Sequence, residues 1–338
     1  MMKLLRYLAF PLVPFYYSVT WIRNKAFDLS ILKSVSYSFP VICVGNLSVG
    51  GTGKSPMVSY LIQLLKDDIS IATLSRGYGR KTKGFVLAEL GLNHNDLGDE
   101  SFQYFQNFGN DITVAVSESR QAGIEALLTR SNAPEVIILD DAYQHRKVKA
   151  GFNILLSTFD NLFTNDIVLP TGNLREPKSG YKRAHCILVT KCPDSISTIQ
   201  KQHIINKIKP LPYQKVFFSH INYSSVVKSK NEVLQLRDLP KFSLVTGIAN
   251  AMPLVAYLKE LDLDFNHLEY NDHYNFTKKD ISDLGQLDLI VTTEKDYMRL
   301  QFETSLKSKL YYLPIELSID QPKIFNTFIK DFVSNKLP

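Results

Sequence analysis

From residue 40 onward, short apolar runs rich in β-branched residues alternate with longer stretches whose apolar residues recur at helical spacing. VICVG (41–45), IATLS (71–75), ITVAV (112–116), VIILD (136–140), NILLS (153–157) and ILVTK (187–191) are mostly apolar without alternation, as expected of strands covered on both faces. Residues 54–66, 100–108 and 117–130 between them carry one apolar helical face. Strands alternating with helices predict a parallel sheet sandwiched between helices. A helix near 195–207 and a strand KVFFS (215–219) close this series, and residues 221–240 then turn polar and lose periodicity. A second series follows: FSLVTG (242–247), a helix over 253–260, a strand at 265–270, a helix from 277, LIVTT (289–293), KLYYLP (309–314) and a last helix near 322–333. The predicted organisation is an N-terminal helix (1–25), a larger α/β domain (26–220), a linker (221–240) and a smaller α/β domain (241–338) that closes over the larger one.

The first of these segments breaks the pattern. Residues 7–22 (YLAFPLVPFYYSVTWI) carry no charge and are flanked by Lys3 and Arg6 and by Arg23 and Lys25. This run is shorter than the roughly 20 apolar residues a bilayer crossing needs, and Pro11 and Pro14 interrupt a straight span. It predicts a helix lying at a membrane interface, with Trp21 and the tyrosines at headgroup depth. A helix simply packed on the body is the alternative.

Composition changes this picture little. Hydrophobic residues at 45% and charged ones at 21% fit a folded globular chain. The net charge of +6 suits an anionic partner without choosing among phosphates, membrane and nucleic acid. Lys and Arg are scattered, with no dense basic stripe interleaved with aromatics, so nucleic-acid binding is not expected; no obligate protein partner is predicted either. Three cysteines are too few for a disulfide framework and point to a reducing compartment.

The candidate chemistry begins directly after the first strand. GNLSVGGTGKS (45–55) matches a Walker A phosphate loop in which Ser48 holds the position usually given to glycine. Glycines let the backbone of Ser48, Val49, Gly50, Gly51, Thr52 and Gly53 wrap phosphate oxygens, Lys54 adds a point charge, and Ser55 offers its hydroxyl to Mg²⁺ at a helix N-terminus. VIILDD (136–141) is an apolar strand ending in two carboxylates, a Walker B arrangement in which Asp140 is the better direct Mg²⁺ ligand and Asp141 its neighbour. The fold class is therefore a P-loop NTPase-like α/β parallel sheet sandwich with a second, smaller α/β domain and an N-terminal membrane-associated helix. TKCPD (190–194) is close to a guanine-reading pattern, but its aspartate falls one residue late, and it reads as coincidence.

Beyond the phosphate loop, the chain resembles the tetraacyldisaccharide 4'-kinase (lipid A 4'-kinase) family. The resemblance runs along most of the chain and rests on GNLSVGGTGKSP (45–56), LSRGYGRK (74–81), GDE (98–100), ESR (118–120), DDAYQHR (140–146), LPTGNLREP (169–177), DHYNFT (272–277) and TTEKD (292–296). It departs where Ala142-Tyr143 replaces an expected Gly-Phe and Ser55 an expected Thr; alanine at 142 is expected to alter the turn slightly. The resemblance implies transfer of the γ-phosphate of ATP, with Mg²⁺, onto the 4'-hydroxyl of an acylated disaccharide 1-phosphate. It implies a peripheral or monotopic location at the cytoplasmic face of the bacterial inner membrane, on an anionic surface.

A sugar hydroxyl needs a proton acceptor. With the resemblance, Asp99 is expected to be that base and His273, after Asp272, to hydrogen-bond it across the cleft once the domains close; read without it, Asp99 fits a helix cap. His145, beside the Walker B carboxylates, is a rival base or part of the Mg²⁺ shell. Arg120 and Arg175 are candidate phosphate clamps, because a guanidinium can bind two oxygens at once. Glu100, Glu176 and Glu294 fit Mg²⁺ positioning, arginine orientation or helix capping equally well. Arg76 and Tyr78 are expected to shape the wall of the site, and residues 292–296 to touch the nucleotide base or the cleft. The competing functional class is a membrane-docked P-loop ATPase or GTPase switch.

Overall fold

The structure, a computed structural model, describes residues 6–272 and 274–335. A nine-stranded sheet runs in the order Ile315–Ile319, Lys215–Tyr223, Cys186–Thr190, Phe152–Thr158, Val41–Asn46, Val136–Asp140, Ile71–Ser75, Thr113–Val116, Val86–Leu87. Neighbours are parallel except at the two edges, where the outermost strand is antiparallel. The strands Val41–Asn46, Ile71–Ser75, Val136–Asp140 and Cys186–Thr190 are buried at every position, which is why their sequences are apolar without alternation. Alternate residues feed different cores: Val41 and Cys43 join one, Ile42 and Val44 the other. The helices Lys54–Leu65 and Pro322–Ser334 fill the second of these through Met57, Leu61, Phe325 and Ile329. All three cysteines are buried and free.

The second sheet has six strands, ordered Val233–Gln235, Val226–Lys228, Leu310–Leu313, Ile290–Thr293, Phe242–Thr246, Phe265–Glu269. Its last four are parallel. Two expectations of chain organisation change here. The stretch 221–240 is not a bare linker: it completes the strand Lys215–Tyr223, then forms the antiparallel pair Val226–Lys228 and Val233–Gln235 at the edge of the second sheet. Its polar sequence suits an edge ribbon as well as a loop. The chain end does not belong to the smaller unit alone, because Ile315–Ile319 and Pro322–Ser334 return to the large sheet and its core.

The two units share an apolar cluster in which Leu97, Phe102 and Val116 meet Val245, Ile290, Tyr297 and Met298. At the other end, a 3-10 turn Phe10–Leu12 leads into the helix Val13–Asp28. No described helix is long and apolar enough to cross a membrane. Tyr16 and Val13 pack on the large core and Phe27 is buried, while Leu8, Phe10, Leu12, Phe15, Trp21 and Ile22 are exposed.

Phe325 is fully buried on the returning C-terminal helix, so Phe325→Ala is expected to cost about 3–5 kcal/mol. Urea unfolding followed by far-UV circular dichroism checks it; an unchanged midpoint would contradict the placement of this helix in the large core.

Candidate active site

The strand Val41–Asn46 enters a loop that opens the helix Lys54–Leu65. Gly50 and Gly53 have φ of 101° and 86°, angles that a side chain resists. Ser48 adopts no such angle and bridges Leu174, so serine is tolerated where glycine is usual. Gly45 is needed for closeness: a Cβ there would sit 2.6 Å from Tyr143 Cβ. The loop is fastened from outside. The Val49 N–H donates to the Asn173 carbonyl at 2.8 Å and the Arg175 N–H to the Leu47 carbonyl at 2.7 Å. Asn46 Nδ2 donates to Thr52 Oγ1 and Thr190 Oγ1 to the Thr52 carbonyl, both at 2.8 Å. Among the described residues nothing accepts from the N–H groups of Gly50, Gly51, Thr52 and Gly53, which leaves them available to an anion.

The strand Val136–Asp140 lies beside the loop strand, with Val44 opposite Asp140. Asp140 is 4% exposed. Its Oδ2 accepts from the Tyr104 hydroxyl at 3.1 Å, and its buried Oδ1 has no partner among the described residues. Burial, reinforced by the Asp141 charge, pushes its pKa up to about 6. Asp141 turns the chain through a left-handed conformation, φ 47°, and faces Arg175 Nη1 at 2.9 Å and Lys54 Nζ at 3.7 Å. Partial burial raises its proton affinity, but Lys54 and Arg175 outweigh that and leave it below the usual carboxylate range. The left-handed residue is Asp141, not Ala142, so the alanine expected to disturb the turn needs no special backbone angle. Ser55 lies near Tyr104, whose hydroxyl donates to Asp140 Oδ2.

These groups open into a cleft of about 1510 Å³ between the two sheets, lined by Gly50 to Ser55, Glu100, Asp140, Asp141 and Arg175 on one side and by Asp272 and Thr293 to Lys295 on the other. Arg76 and Tyr78 also line it. Val49 and Ser48 lie at the loop's outer side, off this lining. Two other expected residues touch the cleft but are committed elsewhere. Arg120 is 2% exposed and donates to the carbonyls of Ser117 and Asp140 at 3.0 and 3.1 Å. It braces the end of the carboxylate strand and is not posed as a phosphate clamp; burial lowers its pKa to about 10. His145 Nε2 accepts from the Arg120 N–H at 3.3 Å. Burial, with Arg120 next, holds its pKa down to about 4, so it is neutral at pH 7 with that lone pair occupied, which does not suit a general base.

Asp99 opens the helix Asp99–Phe108 without capping it; Gly98 is the cap, at φ 82°. Both Asp99 oxygens face Arg299: Nε to Oδ1 at 3.2 Å and Nη2 to Oδ2 in close contact. Arg299 also donates to the Tyr274 carbonyl at 3.1 Å. Glu100, next in sequence, faces the cleft with Lys295 Nζ at 3.4 Å. Glu294 accepts from Gln103 and Asn107 at 2.6 and 2.7 Å and so also ties the two units together. His273 lies outside the described residues. Arg299 lies outside the motifs that carry the resemblance, and Lys295 lies inside TTEKD (292–296), which is expected only to touch the nucleotide base or the cleft. The helix Glu294–Leu300 places them on one face at i, i+4, and helical spacing across TTEKDYMR was the available signal. Glu176 was left with several roles, and its surroundings choose among them: it accepts from Asn24 Nδ2 at 2.6 Å, Gln144 Nε2 at 3.0 Å and Arg183 Nη2 at 2.7 Å. It orients cationic and amide groups beneath the loop.

A largely parallel sheet whose glycine-rich loop opens a helix beside a strand ending in paired aspartates defines a P-loop NTPase-like α/β protein. The sequence pattern of the tetraacyldisaccharide-1-P 4'-kinase family (LpxK) matches residues 5–334, and the chain belongs to that family. A tetraacyldisaccharide 4'-kinase of Flavobacterium johnsoniae is 46% identical over 342 residues, covering 99% of this chain and 99% of its own. One from Bacteroides fragilis is 42% identical over 335 residues, 92% of this chain and 89% of its own. Among solved structures, the "apo" form of LpxK from Aquifex aeolicus in complex with ATP superposes with a TM-score of 0.78 at 28% identity, covering 97% of this chain and 99% of that one.

The buried Asp140 yields a pH-dependent stability. A carboxyl whose folded pKa is raised to about 6 contributes stability that is full below its unfolded value and lost as pH rises through 6. Asp140→Asn is therefore expected to stabilise the protein, free of nucleotide and metal, by up to about 3 kcal/mol at pH 8, with the gain shrinking towards pH 5. Calorimetric melting across this range checks it, and a pH-independent gain would contradict the raised pKa.

Proposed function

We propose that this protein transfers the γ-phosphate of ATP to the 4'-hydroxyl of a tetraacylated glucosamine disaccharide 1-phosphate, a lipid A precursor, at the cytoplasmic face of the inner membrane. The observation that carries this reading is the convergence of an anion-ready loop, Lys54 and the Asp140–Asp141 pair on one cleft in a chain that matches the kinase family over nearly its full length. The backbone N–H groups of residues 50–53 and Lys54 bind the β- and γ-phosphates. Arg175 reaches the same region and steadies negative charge on the transferring group.

Asp99, backed by His273, takes the proton of the 4'-hydroxyl. The sugar oxygen bonds to the γ-phosphorus as the bond from that phosphorus to the β–γ bridging oxygen breaks, and ADP leaves with the electron pair. In this reading Arg299, which donates to both Asp99 oxygens, holds Asp99 oriented until the acceptor arrives. Closing the smaller unit on the larger excludes water from the cleft.

Magnesium fits this donor set. The Asp140 Oδ1 atom is a buried acceptor lacking a partner among the described residues, and Ser55 lines the same cleft near the Tyr104 that donates to Asp140 Oδ2. No cage of three acidic, cysteine or histidine side chains occurs among the described residues, which suits an ion that keeps several waters and takes substrate oxygens. Asp140 and Ser55 would hold it, with Asp141 and Glu100 acting through water, and it would neutralise charge on the phosphate oxygens. The exposed apolar side of the helix Val13–Asp28, with Phe15, Trp21 and Ile22, suits contact with an anionic membrane at headgroup depth.

The test is γ-labelled ATP with Mg²⁺ and the acylated disaccharide 1-phosphate in detergent micelles. Label is expected in the lipid, lowered by about 10²-fold or more in Lys54→Ala and Asp99→Ala. Label released only as free phosphate would replace the kinase reading with an ATPase switch. Loss in Glu100→Ala with full activity in Asp99→Ala would move the base to the next residue.

A further inference from the structure

A second cavity lies on the flank of the N-terminal helix away from the active cleft. It holds about 510 Å³, within the roughly 300–1,000 Å³ of small-molecule sites, and it shares no lining residue with the cleft. One wall is the helix Val13–Asp28, through Trp21, Asn24, Lys25 and Asp28, whose i, i+3, i+4, i+7 spacing puts them on one face. Arg23, between them in sequence, falls on the other side and lines the cleft. The opposite wall is the 3-10 turn Lys178–Arg183. Gly180 lets that turn come close: a Cβ there would lie 2.8 Å from Glu176 Oε2 and 3.0 Å from Leu47 Cδ2.

The charges around this cavity do not cancel. Arg183 is taken up by Glu176 at 2.7 Å and Asp28 by Arg146 at 2.7 Å. Lys25 and Lys182 are exposed, and among the described residues no carboxylate pairs with either. Asn24 is 9% exposed. Its Nδ2 donates to Glu176 Oε2 at 2.6 Å, an orientation dictated by a carboxylate that only accepts, and its Oδ1 is left buried with no donor among the described residues. A buried acceptor calls for a donor, so a fitting occupant brings an anion to the two lysines and a hydrogen-bond donor to Asn24. A hydroxyl suits that donor better than an ammonium, which two unpaired lysines would repel. Trp21 also belongs, with Ile22, to the exposed apolar side of the helix, which gives an acyl chain on the occupant a place to lie. We propose that this cavity binds the headgroup of a phospholipid whose phosphodiester carries a polyol, as in phosphatidylglycerol. The phosphate sits between Lys25 and Lys182, a headgroup hydroxyl donates to Asn24 Oδ1, and the acyl chains leave past Trp21. The helix thereby selects a lipid as well as lying on the bilayer. This rests on the reading of the helix as a membrane contact.

Trp21 is the chain's one tryptophan, so its fluorescence reports on the cavity directly. The experiment titrates the full chain with vesicles of phosphatidylcholine alone, with phosphatidylglycerol added, or with the same fraction of phosphatidylserine, which has the same net charge but brings an ammonium. A second arm adds glycerophosphoglycerol or inorganic phosphate as competitor at matched ionic strength. The wild type is expected to bind phosphatidylglycerol vesicles about fivefold more tightly than phosphatidylserine vesicles, and the double variant Lys25→Gln with Lys182→Gln to lose that preference. Glycerophosphoglycerol is expected to compete, and inorganic phosphate not. Equal binding to the two anionic vesicles, or a preference that survives in the double variant, would overturn the proposal. Equal competition by inorganic phosphate would make the cavity a free-phosphate site, and a raised KM of the double variant for the acylated disaccharide 1-phosphate in micelles would hand it to the substrate's own phosphate; either overturns the lipid assignment. A wild type that binds no vesicle of any composition would instead remove the membrane reading itself.

Discussion

A loop that grips phosphate with its backbone cannot hold its own shape, because the donors that would do so are those it must offer. The N–H groups of Gly50 to Gly53 have no acceptor among the described residues, so the conformation is imposed by neighbours. Asn173 and Arg175 fasten one limb through Val49 and Leu47, and Asn46 and Thr190 fasten the other through Thr52. The segment around 168–175 stays in place because Val168 and Leu174 are buried in the large core. Apolar burial far along the chain thus becomes backbone order at the site.

The same economy governs charge. Two successive aspartates would repel if both sat in the same surroundings. One is sunk beside Tyr104 and driven to a pKa of about 6, while the other is turned out by a left-handed residue towards Lys54 and Arg175 and held low. Separation of proton affinities by environment gives adjacent carboxylates different tasks. It also explains why Arg120 is buried: the carboxylate strand ends at a carbonyl that needs a donor, and Arg120 supplies it from below.

The interior strands were legible because parallel strands buried on both faces have no polar side to confuse the pattern. The edge elements were not. Val226–Lys228, Val233–Gln235 and Ile315–Ile319 are short or half-exposed, and their polar residues look like loop. The loop, the paired aspartates and Arg175 could be read from motif and spacing. The Arg299–Asp99 pair joins residues 200 apart in sequence, and only the packing of the second sheet on the first brings them together. Burial of the Arg120 guanidinium was equally hidden, since nothing local distinguishes an arginine that clamps a ligand from one that props a strand.

The N-terminal helix follows from the same logic. Its outer side is apolar and uncovered, but its inner side is polar where it meets the site. Tyr16 donates to the Arg175 carbonyl at 3.0 Å, Arg6 to Asn173 Oδ1 at 3.0 Å, and Asn24 to Glu176 at 2.6 Å. Glu176 in turn receives Gln144, whose amide also donates to the Asn46 carbonyl at 2.8 Å. A helix needed only as an anchor could pack through leucines alone, with no buried asparagine to satisfy. Burying Asn24 against a buried carboxylate fixes one register of the helix on the body, since any slip leaves the Asn24 amide without its acceptor and Glu176 short of one donor. The residues so fixed, Asn173, Arg175 and Asn46, are those that shape the phosphate loop, so the exposed apolar side of the helix and the phosphate loop are joined through one set of hydrogen bonds.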